Sequence, residues 1–341
     1  MTLHLILGLF TSFSPLVRAE GPVQPLPAVT APAENPQTAA KVALGKQLFF
    51  DPRLSKDGTV SCNSCHNVMS GGTDNRATSI GVGGKAGGRN SPTVWNAAFL
   101  SVQFWDGRAA TLEEQAKGPL TNPIEMAMPN HDAVMDRVKK MPGYVEQFTK
   151  VFGKDSVNID NLAKAIASYE RTLVTPGGAF DKFLKGNKGA ISEKAKRGYQ
   201  IVTEVGCLSC HMGPNFAGPA LPTGTGFYQK FPVYPDSAFI AKYNLSSDAG
   251  RAEHTKKSED RGFFRVQSWR NIALTAPYFH NGSVKTLDEA VRVMAETQLN
   301  KKLSDAQVSD VVAFLETLTG PFPKQDMPRL PDTAGTTLLM D

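Results

Sequence analysis

The sequence predicts a mainly α-helical protein made of two related halves. Three observations carry this. Apolar residues recur at helical spacing in eight segments, while strand-like alternation is scarce. A five-residue motif occurs twice, as Cys62-Asn63-Ser64-Cys65-His66 and as Cys207-Leu208-Ser209-Cys210-His211, and takes up all four cysteines. Residues 96–115 also align with 271–290 at a constant offset of 175, where Asn96, Ala98, Phe104, Gly107, Thr111, Leu112 and Glu114 meet identical residues. A chain of 341 residues is long enough for two domains.

Residues 1–19 are an apolar stretch of signal-peptide length ending in Val17-Arg18-Ala19. No Lys or Arg precedes its apolar core, so an uncleaved anchor is the alternative. Cleavage after Ala19 lowers the net charge from +5 to +4, a balance that does not suggest nucleic acid as a partner. Residues 20–37 are rich in Pro and Ala and read as an extended arm. A helix over 38–50 ends at Asp51-Pro52. Helices are expected at 111–117, 132–141, 143–152 and 160–174, the first opened by the capping box Thr111-x-x-Glu114. Thr175-Pro176-Gly177-Gly178 breaks the pattern and divides a unit of residues 38–175 from one of 176–331, with a tail at 332–341. In the second unit, helices are expected at 192–205, 286–298 and 304–318. The last two are opened by Thr286-x-x-Glu289 and Ser304-x-x-Gln307. Residues 215–259 read as a long loop region.

C-x-x-C-H is the attachment motif of c-type haem. Two thiols at that spacing reach the two vinyl groups on one haem edge, and the next residue offers its imidazole to the iron. A four-cysteine zinc site or two disulfides would leave both histidines unexplained. His66 and His211 are then the proximal ligands. With one motif per unit, the expected architecture is two cytochrome c-like haem domains related by internal duplication. Attachment of such haems outside the cytoplasm agrees with the leader.

The two units differ in chemistry. Met294 shares a helix face with Leu287, Ala290, Val291 and Gln298, and reads as an axial ligand or as core filling. Gln115 aligns with Ala290, and Glu125 follows ten residues later. A carboxylate can move the proton that heterolytic O–O cleavage requires and an amide can orient the peroxide, although a loop glutamate is as readily a solvated one. Trp105 aligns with His280 and reads as an electron conduit between haems or as packing.

These residues resemble one family, the bacterial di-haem cytochrome c peroxidases, over about 38–331. The resemblance rests on GKQLFFDPRLS, CNSCHN, RNSPTVWN, QFWDGRA, LEEQAKGP, NPIEMAM, LVTPGGAFD, GCLSCHMGP, RNIALTAPYFHNG, TLDEAVRVM and QLN. It implies cytochrome-c peroxidase activity in the periplasm, with hydrogen peroxide as substrate and a small cytochrome c or cupredoxin as donor. By the resemblance, two c-type haems are attached through Cys62, Cys65, Cys207 and Cys210. His66 ligates the low-potential peroxidatic haem, and His211 with Met294 the high-potential one. Gln115 and Glu125 match the catalytic pair, and Trp105 the tryptophan between the haems. Asn90, Thr275 and Pro277 match positions that hold a calcium ion, the last two through backbone carbonyls. A homodimer is implied, and the role of His280 is left open.

One position departs from the family. Its resting peroxidatic haem carries a second histidine in a mobile loop reading SIGH, and here that loop reads Ser79-Ile80-Gly81-Val82. Valine cannot coordinate iron, so an open first haem and a flexible loop from Gly81 to Gly88 are expected. Met126, Met128 and His131 are the substitute ligands to consider. Competing functions are a di-haem electron carrier, a peroxide sensor and an oxygenase that matures tryptophan tryptophylquinone. The oxygenase family has tyrosine where this chain has Met294.

Overall fold

A computed structural model describes residues 23–333, so the leader at 1–19 and all but the start of the tail lie outside the described residues. The fold is mainly helical. In the first half, α1 (Ala39–Phe50) is capped by Thr38, which accepts from the Lys41 N–H, and stops at Asp51 ahead of Pro52. A single turn, α2 (Cys62–Cys65), carries the first motif. Then come α3 (Leu112–Thr121), α4 (His131–Lys139), α5 (Pro142–Phe152) and α6 (Ile159–Glu170). Helix α1 crosses α6, and Gly45 lets them approach, since a Cβ there would overlap the Ala165 carbonyl oxygen.

The second half repeats the crossing. It comprises α7 (Ala179–Leu184), α8 (Glu193–Val205), β1 (Tyr228–Lys230), α9 (Ala238–Lys242), α10 (Ala252–Thr255), β2 (Phe263–Arg265), α11 (Leu287–Leu299) and α12 (Asp305–Glu316). Helix α8 crosses α12, with Gly198 against the Asp310 carbonyl as Gly45 is against Ala165. Strands β1 and β2 pair antiparallel, Tyr228 opposite Arg265. Backbone geometry follows the offset of 175. Asn96 and Asn271 are left-handed at φ 63° and 60°, Phe104 and Phe279 both at 69°. The bridge Gln103–Ala109 has its counterpart in Tyr278–Val284.

Each half has its own apolar core. Leu44, Leu48, Trp95, Tyr144 and Phe148 lie in the first, and Phe180, Phe216, Phe314 and Leu318 in the second. The arm spans both, since Val23 packs in the second core and the Asn35 amide donates to the Lys164 carbonyl of α6.

Several element ends differ from the sequence expectation. Helix α6 stops at Glu170 because the chain tightens there, with Thr172 and Leu173 donating three residues back, and the Leu173 carbonyl accepts from Asn96. Thr111 and Thr286 cap their helices, but only Ser304–Gln307 closes as a reciprocal box. Glu114 turns instead to the Ala110 N–H, and Glu289 to Lys242 and Tyr243. The expected long loop contains β1, α9 and α10. The loop at 81–88 is a hydrogen-bonded hairpin. Gly81 N–H donates to the Lys85 carbonyl, Gly87 N–H to Ser79, and Val82 N–H to the Glu125 carbonyl at 2.9 Å.

Candidate functional site

A cavity of about 190 Å³ lies in the first half and one of about 210 Å³ in the second. Each motif folds as a single turn, the His66 N–H bonding back to the Cys62 carbonyl and the His211 N–H to Cys207. Both cysteines and the histidine therefore line one cavity, Cys62, Cys65 and His66 the first and Cys207, Cys210 and His211 the second.

Both imidazoles are held alike. His66 Nδ1 lies 2.9 Å from the Pro92 carbonyl, and His211 Nδ1 lies 3.1 Å from the Phe216 carbonyl. A carbonyl only accepts, so Nδ1 carries the proton and Nε2 keeps its lone pair. Burial lowers the pKa of His66 and holds His211 down to about 4, so both are neutral, the form that ligates a metal. His211 also stacks on Trp269, with centroids 4.2 Å apart. The thiols sit among apolar walls that push Cys62 up and Cys207 up to about 11, so these pockets favour uncharged sulfur, as in a thioether.

The cavities differ in polarity. Glu125 and Gln115 line the first. Burial raises the Glu125 pKa, against the opposing pull of Arg108 and a 2.8 Å bond from Asn122. The second contains Met294 facing the same space as His211 and, among the described residues, no carboxylate. Val82 packs in the first core, and the hairpin contributes Ser79, Gly81, Gly87 and Gly88 to the cavity lining. Of the substitute ligands, Met126 lines the cavity, Met128 does not, and His131 Nε2 bonds to the Lys117 carbonyl instead.

Trp105 and Arg265 line both cavities. The Trp105 indole donates to the Asn90 carbonyl at 2.8 Å and meets the His280 ring edge-on at 6.3 Å. The Asn90 side-chain amide donates to the Arg76 carbonyl at 2.8 Å. Thr275 and Pro277 lie outside both linings, and among the described residues no three His, Cys, Asp or Glu side chains cluster as a metal site. The donors expected there, the Asn90 side-chain oxygen and the carbonyls of Thr275 and Pro277, are neutral oxygens of the kind a hard cation accepts.

Among the lining residues not singled out from the sequence, two stand out. Glu170 is buried in the first cavity with Oε2 unpartnered among the described residues, and Arg265 stands in the common wall. The signal for Glu170 was present, because the offset of 145 between the two motifs sets it opposite Leu315, which lines the second cavity. A further buried polar atom beside the second cavity, His280 Nε2, has no partner among the described residues. Paired thiols, an oriented neutral imidazole, apolar walls and unpaired polar atoms at the rim are what a covalently attached haem with polar side groups requires, so the residues fit one haem per cavity.

The comparisons agree. The family model described as di-haem cytochrome c peroxidase matches residues 39–189. The chain is 46% identical to the cytochrome c551 peroxidase of Nitrosomonas europaea over 98% of this chain and 95% of that one. It is 44% identical to the cytochrome c551 peroxidase of Pseudomonas aeruginosa, over 92% and 89%. Among solved structures, a MauG-like protein associated with microbial copper homeostasis superposes with a TM-score of 0.75 at 27% identity, covering 86% of this chain and 93% of that one. This chain belongs to the di-haem cytochrome c peroxidase family.

Proposed function

We propose that this protein is a periplasmic cytochrome-c peroxidase whose first haem is open to peroxide in the fully oxidised state. The overall reaction joins hydrogen peroxide, two electrons and two protons into two waters. Electrons come one at a time from a small cytochrome c or cupredoxin and enter at the half containing His211 and Met294. The observation that carries this reading is the asymmetry of the cavities. The half-buried acid Glu125 shares a space with Cys62, Cys65 and His66, and among the described residues no carboxylate lines the other cavity.

Haem iron, when bound, supplies the centre from which peroxide takes its electrons. Glu125 holds the proton that must pass from the near peroxide oxygen to the far one, and burial favours its protonated form. Gln115 orients the peroxide by hydrogen bonding. Trp105, bordering both cavities, links them for electron passage. Asn90 with the carbonyls of Thr275 and Pro277 offers the neutral oxygens a calcium ion accepts. Division at Thr175 into two duplicated haem domains is supported by the matching helix crossings and left-handed residues. The working form is a homodimer.

The openness rests on Val82, which offers the iron no ligating atom. The test is an EPR and absorption spectrum of the oxidised protein, followed by peroxide and reduced cytochrome c. A high-spin ferric signal with immediate turnover is expected. Two low-spin haems and no turnover before one-electron reduction would mean that another side chain, Met126 being the one that lines the cavity, holds the iron.

A further inference from the structure

Arg265 is 4% exposed and lies in the wall between the two cavities. Its backbone N–H donates to the Trp105 carbonyl at 2.8 Å, and its Nε to the Phe104 carbonyl at 3.1 Å. Nη1 donates to the Val266 carbonyl and Nη2 to Gln267 Oε1. These acceptors are all neutral, and they occupy three of the roughly five N–H groups a guanidinium offers. Among the described residues no carboxylate pairs with it. The nearby Asp106 is engaged by Arg89 at 2.7 Å and Arg108 at 2.9 Å. In the second cavity Arg265 is the one Lys, Arg, Asp or Glu among the lining residues. In the first, Arg89 and Arg108 also contribute, but both are spent on acids. Burial pulls Arg265 down to about 10, which leaves it cationic at neutral pH. A buried cation without a counter-charge is costly, and each haem brings two carboxylate side groups.

We propose that Arg265 is a carboxylate-binding residue shared by both cavities, pairing through its free N–H groups with haem propionates from each side. This rests on the two-haem reading above. Arg265 then has two tasks at once. It would neutralise propionates reaching the shared wall from either cavity, and its bonds to the Phe104 and Trp105 carbonyls hold the backbone that carries the indole. No electron or proton is transferred by Arg265 itself.

The test is a potentiometric titration of both haems in wild-type, Arg265→Gln and Arg265→Lys protein, after a haem count per chain. Removing a cation disfavours the added electron, so R265Q is expected to lower both reduction potentials, and R265K to restore at least half of each shift. R265Q should also make both potentials steeper functions of pH, because unpaired propionates protonate more readily. If R265Q fails to fold, the propionate bending bands of R265K in resonance Raman serve instead, and are expected to move at both haems. A two-haem R265Q protein with either potential unchanged, or R265K bands unmoved at either haem, overturns the shared clamp. Fewer than two haems in the wild type would instead overturn the reading on which it rests.

Discussion

A carboxyl group with one oxygen unpartnered inside a protein is better stabilised by a proton than by a charge, and Glu170 has that setting. Burial, then the negative field of Glu113, push its pKa to about 8, while Arg171 pulls the other way. Glu113 is itself held by Arg171 at 2.7 Å and by Asn35, so the cation next to Glu170 is largely committed elsewhere. An unfolded glutamate titrates near 4.5. Between that value and about 8 the folded state holds one proton more than the unfolded state, so stability falls as pH rises. The contribution is complete below the lower value and lost above the higher one, with a slope of about 1.4 kcal/mol per pH unit. Denaturant unfolding of the haem-loaded protein from pH 5 to 9 is expected to show this slope in the difference between wild type and Glu170→Gln. A flat difference would mean that Glu170 is ionised in the fold. Glu170 escaped the sequence reading because it continues a helix-periodic run. Only its pairing with Leu315 sets it apart. Arg265 carried no signal, since its meaning depends on a wall that two distant segments build. The cysteines, both histidines, Met294, Gln115 and Glu125, all of which line the cavities, could be picked out as candidates because motif spacing, the comparison of halves and the family resemblance single them out.

At the scale of elements, the two helix crossings depend on missing side chains. A Cβ on Gly45 would overlap the Ala165 carbonyl, and one on Gly198 the Asp310 carbonyl. On an exposed helix Gly→Ala stabilises by about 1 kcal/mol. Here the sign should reverse, because backbone must yield, at a cost of about 1–3 kcal/mol. Gly45→Ala and Gly198→Ala are therefore expected to lower the melting temperature followed by circular dichroism. Gly189→Ala, whose added Cβ would meet only the Asn187 side chain at 3.7 Å, should stay within about 0.5 kcal/mol of wild type. A stabilised G45A or G198A would contradict the close crossing. The long helices were readable from apolar period, and their observed ends moved by at most a few residues. At the end of α6 the shift comes from a tightened turn whose Leu173 carbonyl accepts from Asn96, a distant residue no local pattern reveals. Helices α7, α9 and α10 and the β1–β2 pair are shorter than a periodic window can register, so nothing local announced them.

For the whole molecule, the junction between the halves is a buried polar knot at the point where the sequence suggested only a break. Thr175 Oγ1 accepts from the amides of Asn96 at 2.9 Å and Asn271 at 3.0 Å, one from each half. The Thr175 N–H returns a bond to Asn96 Oδ1, and the Gly320 N–H bonds to Asn271 Oδ1. Asn96, Thr175 and Asn271 are each 0% exposed. No water can replace a lost partner there, so each orphaned amide costs about 1–3 kcal/mol. The same knot ties the left-handed corners at Asn96 and Asn271, whose N–H groups bond to the carbonyls of Leu173 and Leu318 just past α6 and α12. It thus sets the relative position of the two crossed-helix units, and with it the separation of the cavities on either side of Trp105. Thr175→Val keeps the shape and removes the acceptor, so it is expected to destabilise the haem-loaded protein by about 2 kcal/mol or more. With wild type and the single changes Asn96→Ala and Asn271→Ala, it should show strong coupling in double-mutant cycles. A loose linker would behave otherwise: T175V would be neutral, the cycles additive, and the absorbance changes of the two haems would follow separate unfolding transitions. A single transition in wild type that splits in T175V would identify the knot as what makes two units unfold as one and holds the two cavities at one fixed spacing.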